Sequence, residues 1–145
     1  QWRAIEFMPI GPLAASFSSR PTAKDIQRVL RKNFELTDII TAASEPARRW
    51  SVAPSDTHPG GIIGVIASMT SPFCSSCTRT RLSADGKIYS CLFSVDSVDL
   101  HTPMRTGASD DELAELWKDA MWAKPAGHQL LAPVPQSYSM SKIGG

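Results

Sequence analysis

The chain has 145 residues, 42% of them hydrophobic, with a formal net charge of +1. That suits one domain, or one domain with a fragment of another, and enough apolar residues for a real core. The near-neutral balance argues against a nucleic-acid or membrane-surface partner, and no apolar run approaches the ~18 residues a membrane helix needs.

The chain opens without an initiator Met, on "WRAIEF" at 2 to 7, which reads as a short strand. An isolated first strand needs a partner sheet, so the chain reads as the C-terminal part of a longer protein with no signal peptide of its own. "MPIGPLAASFSSRP" is loop-like. A helix is predicted over about 23 to 34, with Thr22 as N-cap, Asp25 three residues on, and Ile26, Val29, Leu30 and Phe34 at helical spacing. Residues 38 to 45 are ambiguous. "ARRWSV" reads as a strand, "APSDTHPGG" as a loop and "GIIGVIASM" as a buried strand. "TRTRL" and "KIYSCLF" flank "SADG" and read as a β-hairpin. "DSVDLHTPMRTG" is mostly loop with one helical turn. "ASDDELAELWKDAMWAK" is the strongest helix signal, with a Ser109/Glu112 capping box, three acids in its first turn, and Leu113, Leu116, Trp117, Ala120 and Met121 on one face. The tail from Pro125 to Gly145 shows no period.

All three cysteines, Cys74, Cys77 and Cys91, fall within "PFCSSCTRTRLSADGKIYSCLF", residues 72 to 93. This density suggests a reducing compartment and a metal site rather than a disulfide scaffold. A two-residue Asp85-Gly86 turn would turn Cys91 away from Cys77. A three-residue Ala84-Asp85-Gly86 loop, with Gly86 left-handed in a G1 bulge, pairs Arg79 with Cys91. Cys77, Arg79, Arg81 and Cys91 then share one face, and Cys77 and Cys91 stand roughly 7 Å apart as diagonal neighbours. That separation suits a bridging metal centre and not a disulfide.

Thiolates hold iron–sulfur clusters or zinc, and three ligands leave a metal position open. Arginines suit bidentate phosphate contacts. One reading is an open metal or cluster beside an anion clamp. Another is a structural zinc half-site closed by His58, His101 or His128, with the arginines on a solvated strand face. A small zinc- or nucleic-acid-binding module is the alternative function. Trp2, Trp50, Trp117 and Trp122 read as core or interface residues; Arg48, Arg49 and Arg105 could add to a phosphate site, with a solvated role the favoured reading.

The cysteine–arginine stretch resembles the C-terminal cluster motif of the radical-SAM molybdenum cofactor biosynthesis protein A family, the GTP 3',8-cyclases. "IEFMP", "GVIASM", "MRTGASDDEL", "KPAGH" and the terminal "IGG" are similar to that family in the same order. The resemblance implies an α+β fold: residues 1–20 as the last strand and following loop of an incomplete (β/α)6 TIM-like barrel, and residues 21–145 as a C-terminal domain of antiparallel sheet and helix. It implies that Cys74, Cys77 and Cys91 hold a [4Fe-4S] cluster whose open iron binds GTP. Arg79, Arg81 and Arg3 are then substrate-binding, and Met8 lies toward the S-adenosylmethionine pocket. Gly144 and Gly145 form a supporting catalytic tail, although Tyr138-Ser139-Met140 departs from the basic stretch common in the family. A second cluster and S-adenosylmethionine belong to the N-terminal CxxxCxxC half, whose motif this chain lacks, so the chain alone is expected to be inactive. Partners implied are GTP, the rest of the barrel and a second subunit in a homodimer. The setting implied is bacterial cytoplasm or, in a eukaryote, the mitochondrial matrix.

Overall fold

A computed structural model describes residues 1–10 and 20–125. The chain divides into two compact units, Gln1–Met8 with Ser16–Cys77 and Pro9–Ala15 with Thr78–Gly145. The described residues of each unit are taken separately.

The first unit carries a four-stranded sheet in the order β1-β4-β3-β2, formed by β1 (Trp2–Ile5), β2 (Leu36–Ile39), β3 (Ala47–Val52) and β4 (Gly61–Ile66). β3 pairs antiparallel with both β4 and β2, whereas β1 runs parallel to β4 with Trp2 opposite Ile63 and Ile5 opposite Ile66. The predicted strands at 47–52 and 61–66 appear where their β-branched and aromatic residues place them. β2 begins two residues before the ambiguous stretch of 38 to 45 and takes in only its first two residues.

One helix, α1 (Ala23–Asn33), covers a face of this sheet. Thr22 and Asp25 form a reciprocal capping box, with the Asp25 carboxylate accepting from Thr22 N at 3.0 Å and Thr22 Oγ1 from Asp25 N at 3.2 Å. Ala23, Leu30, Trp50 and Val65 form the buried core, with Ala4, Ile26, Phe34, Leu36 and Ile63 packed around it. Val29 departs from its expected place and is 61% exposed. Ile26, Leu30 and Phe34 follow an i, i+4, i+8 line that a helix buries without it.

The second unit has a three-stranded antiparallel sheet, β5 (Arg81–Leu82), β6 (Lys87–Tyr89) and β7 (Val98–Asp99). A short helix α2 (His101–Arg105) and a longer α3 (Asp110–Trp122) follow. The Ser109/Glu112 capping box is present in full. Along α3, Ala120 is buried, and Leu113, Leu116 and Met121 are half-buried. Strand β7 lies in a stretch that reads as loop. Two residues are too few to show a period-2 pattern.

Candidate metal and phosphate site

The hairpin has the register that the three-residue loop requires. Arg81 stands opposite Tyr89 and Leu82 opposite Ile88. Ser83 N donates to Lys87 O at 3.0 Å, and Gly86 N closes the turn onto Ser83 O at 2.9 Å. Gly86 has φ +73°, and a Cβ there would lie 2.7 Å from the Cβ of His101, so both the backbone and the space demand glycine.

The ladder is shorter than the sequence suggests. Carrying its register outward pairs Arg79 with Cys91, and by alternation that pair would exchange N–H···O bonds. Both groups are engaged elsewhere. The Arg79 carbonyl accepts from Lys124 Nζ at 2.6 Å, and Cys91 N donates to Ser94 Oγ at 3.1 Å. Ser94 N in turn donates to Cys91 O at 3.1 Å, so Cys91 sits in a turn rather than a strand. A serine hydroxyl competing for backbone groups ends the strand here. The expectation that Cys77, Arg79, Arg81 and Cys91 share one strand face is therefore corrected: only Arg81 of the four lies in a ladder. Thr80 Oγ1 still reaches Tyr89 O at 3.2 Å.

Cys74 and Cys77 belong to the first unit and bracket a 3-10 turn at Cys74–Ser76. Cys77 N donates to Cys74 O at 3.2 Å, and Ser76 Oγ anchors the turn by donating to Ala43 O at 2.6 Å. All three cysteines are half-buried and none is in a disulfide. Among the described residues, no three His, Cys, Asp or Glu side chains form a metal-binding group. The division between the units falls between Cys77 and Thr78, inside the motif.

Arg3, on the first unit's sheet, is exposed and pairs with Gly64 of β4. Gly64 leaves room for the stem of Arg3, whose Cγ lies 3.3 Å from where a Cβ would stand; the Cγ of Arg49 lies 3.7 Å from the same point. Arg49 is thus not simply a solvated side chain. It flanks Gly64 opposite Arg3, and its Nη2 pairs with Glu45 at 3.0 Å. The absent side chain at Gly64 was the available signal for this. Met8 is half-buried beyond the end of β1. Gly144, Gly145 and His128 lie outside the described residues.

Glu6 is a polar centre that the sequence reading passed over. It is 4% exposed and accepts from Ala23 N at 3.1 Å, Met69 N at 2.9 Å and Thr70 N at 2.9 Å. Burial raises the carboxyl's pKa. Hydrogen bonds from Thr70, Met69 and Ala23 together outweigh that and hold it below the ordinary value.

Three half-buried cysteines outside any disulfide thus lie, with nearby arginines in the sequence, in a mixed α+β chain of two sheets. The family profile for Molybdenum Cofactor Synthesis C matches residues 1–130, and the chain belongs to that family. It is 48% identical over its whole length to a GTP 3',8-cyclase of Mycolicibacterium smegmatis. It is 45% identical, again over its whole length, to GTP 3',8-cyclase 2 of Mycobacterium tuberculosis, and 48% identical over 86% of its length to the enzyme of Streptomyces coelicolor. The chain spans only 41%, 41% and 36% of those relatives. No described helix is long and apolar enough to cross a membrane.

Proposed function

We propose that this chain is the cluster-holding, substrate-binding part of a GTP 3',8-cyclase, which cyclises GTP by radical chemistry in molybdenum cofactor biosynthesis. The observation that carries the reading is residues 72 to 93: three half-buried thiols outside any disulfide, interleaved with two arginines, in a chain aligned end to end with cyclases. Cys74, Cys77 and Cys91 would hold a [4Fe-4S] cluster. When bound, that cluster supplies an open iron to a donor atom of the substrate base.

The chain's own residues then bind and orient. Arg79, Arg81 and Arg3 present fixed guanidinium forks to a triphosphate, charge-assisted contacts that position the nucleotide rather than transform it. Lys124, bonded to the Arg79 carbonyl, holds that segment in place where the ladder has ended. In the same reading residues 1–20 end a (β/α)6 barrel and 21–145 form the closing domain. Met8 faces an S-adenosylmethionine pocket, and Gly144 and Gly145 form a supporting tail. GTP, the remainder of the barrel with its own cluster and a second subunit are the partners, in cytoplasm or mitochondrial matrix.

Anaerobic reconstitution tests the reading. About four irons with sulfide per chain support it, whereas about one zinc without sulfide supports a structural zinc module. Cys91→Ser should lose the iron. Arg79→Ala and Arg81→Ala should weaken GTP binding while keeping it, and loss of iron there would remove the clamp. These 145 residues alone should not turn over GTP, since their cysteines contain no CxxxCxxC.

A further inference from the structure

Residues 69 to 77 carry two of the three thiols without a strand or α-helix of their own, and only the short turn at Cys74–Ser76 is regular. A segment of this kind is placed by its anchors. Ser76 Oγ, bonded to Ala43 O at 2.6 Å, is the anchor at the far end. The near end is anchored by Glu6. Its Oε2 accepts from both Met69 N and Thr70 N at 2.9 Å, its Oε1 accepts from Ala23 N at 3.1 Å, and its main-chain oxygen accepts from Ser68 Oγ at 3.1 Å. Glu6 N itself donates to Ile66 O at 2.9 Å, which extends the β1–β4 pairing by one residue. One buried residue therefore fixes three things at once: the end of β1, the first turn of α1 and the exit of the chain from β4.

We propose that Glu6 is a positioning residue for Cys74 and Cys77, holding the segment that presents them. A carboxylate is needed for this. Its three backbone partners are all N–H donors, and both carboxylate oxygens accept from them. A glutamine offers one oxygen and one NH2, so at least one buried backbone donor would face another donor. Lengthening or releasing the Met69–Thr70 contacts frees the segment four residues before the first thiol, while the β3–β4 ladder and the Trp50 core stay as they are.

The test is the alkylation rate of each cysteine in the intact, metal-free chain with iodoacetamide, read residue by residue by mass spectrometry, with Cys91 as the internal reference. Glu6→Gln should speed alkylation of Cys74 and Cys77 about tenfold relative to Cys91, because local opening exposes half-buried thiols. Ser68→Ala removes only the main-chain tie and is the milder variant, expected to speed them about threefold. It decides the matter if Glu6→Gln does not fold. Leu30→Ala, a core truncation in the same unit, measures how far loss of stability alone raises the ratios, and its rise should be well below that of Glu6→Gln. Unchanged ratios in the Glu6 and Ser68 variants overturn the proposal, and so does an equal rise in Leu30→Ala.

The consequence for metal loading rests on the cluster reading above. Where the native chain takes up iron, Glu6→Gln should bind it about tenfold more weakly, as loss of an outer-shell support does. If the native chain takes up no iron, the cluster reading fails, and the alkylation ratios still decide the role of Glu6.

Discussion

β3 and β4 pair over six residues, whereas β5 and β6 pair over two. The contrast lies in what side chains do at the ladder ends. In the first unit, Glu6 and Ser68 take up backbone groups that lie past the end of the β1–β4 pairing, so they extend the order that the sheet began. In the second unit, Lys124 and Ser94 bond to the very groups that the next rung, Arg79 with Cys91, would use. The first unit thereby becomes a scaffold around Trp50. The second keeps Arg81 in its ladder but leaves Arg79 and Cys91 on irregular backbone, where binding residues commonly sit.

The largest test of that contrast is the scaffold itself. Trp50 is fully buried between α1 and the sheet. Trp50→Ala should cost about 3–5 kcal/mol in urea denaturation, the usual range for an aromatic core truncation. A loss under half of that would show that the first unit is not organised around this side chain.

Glu6 sharpens the comparison through pH. Its folded pKa is lowered, so its contribution is complete above the ordinary carboxylate value of about 4.3 and is lost as pH falls through the lowered value. Glu6→Gln should cost about 1–3 kcal/mol at neutral pH for each buried donor left unsatisfied. It should also flatten the acid limb of stability against pH. An acid limb unaltered by the substitution would mean that other carboxylates set it.

In the second unit the corresponding fixed point is Gly86. Gly86→Ala adds a methyl against His101 at a positive φ and should cost about 1–3 kcal/mol. Hydrogen exchange at Ser83 N and Lys87 N reports it locally, since both amides bond within the turn. A register slip to a two-residue turn would show instead as new cross-strand contacts from Tyr89.

The sequence made much of this legible because the signals were local. The Thr22 and Ser109 caps, the Ala47–Val52 strand and the bulged Ala84-Asp85-Gly86 loop each depend on residues a few positions apart. What it hid was long-range. Glu6 and Thr70 are 64 positions apart and Lys124 and Arg79 are 45 apart. No periodicity encodes either contact. The early end of the hairpin followed partly from such a contact, Lys124 with Arg79, and partly from the local bond of Cys91 to Ser94, and so the predicted shared face was lost although its register was right. The neighbourhood of Arg49 was hidden for the same reason, because Arg3 lies two strands away across Gly64.

The smallest effect is the one that the two units should share. Each has one helix with a complete capping box, Thr22 with Asp25 and Ser109 with Glu112. Both acids have lowered pKa values, Asp25 through the hydroxyl and amide of Thr22 and Glu112 through the amide and hydroxyl of Ser109. Each box should hold above the ordinary carboxylate range and loosen as pH falls through the lowered values. Thr22→Ala and Ser109→Ala should each cost about 1 kcal/mol at neutral pH. Because the caps are chemically alike, equal losses would mean that the units differ in their ladders and core rather than in local helix chemistry. A loss at Thr22 several times that at Ser109 would place the difference in α1 instead, where Ala23 N, in the first turn, is also bonded to Glu6.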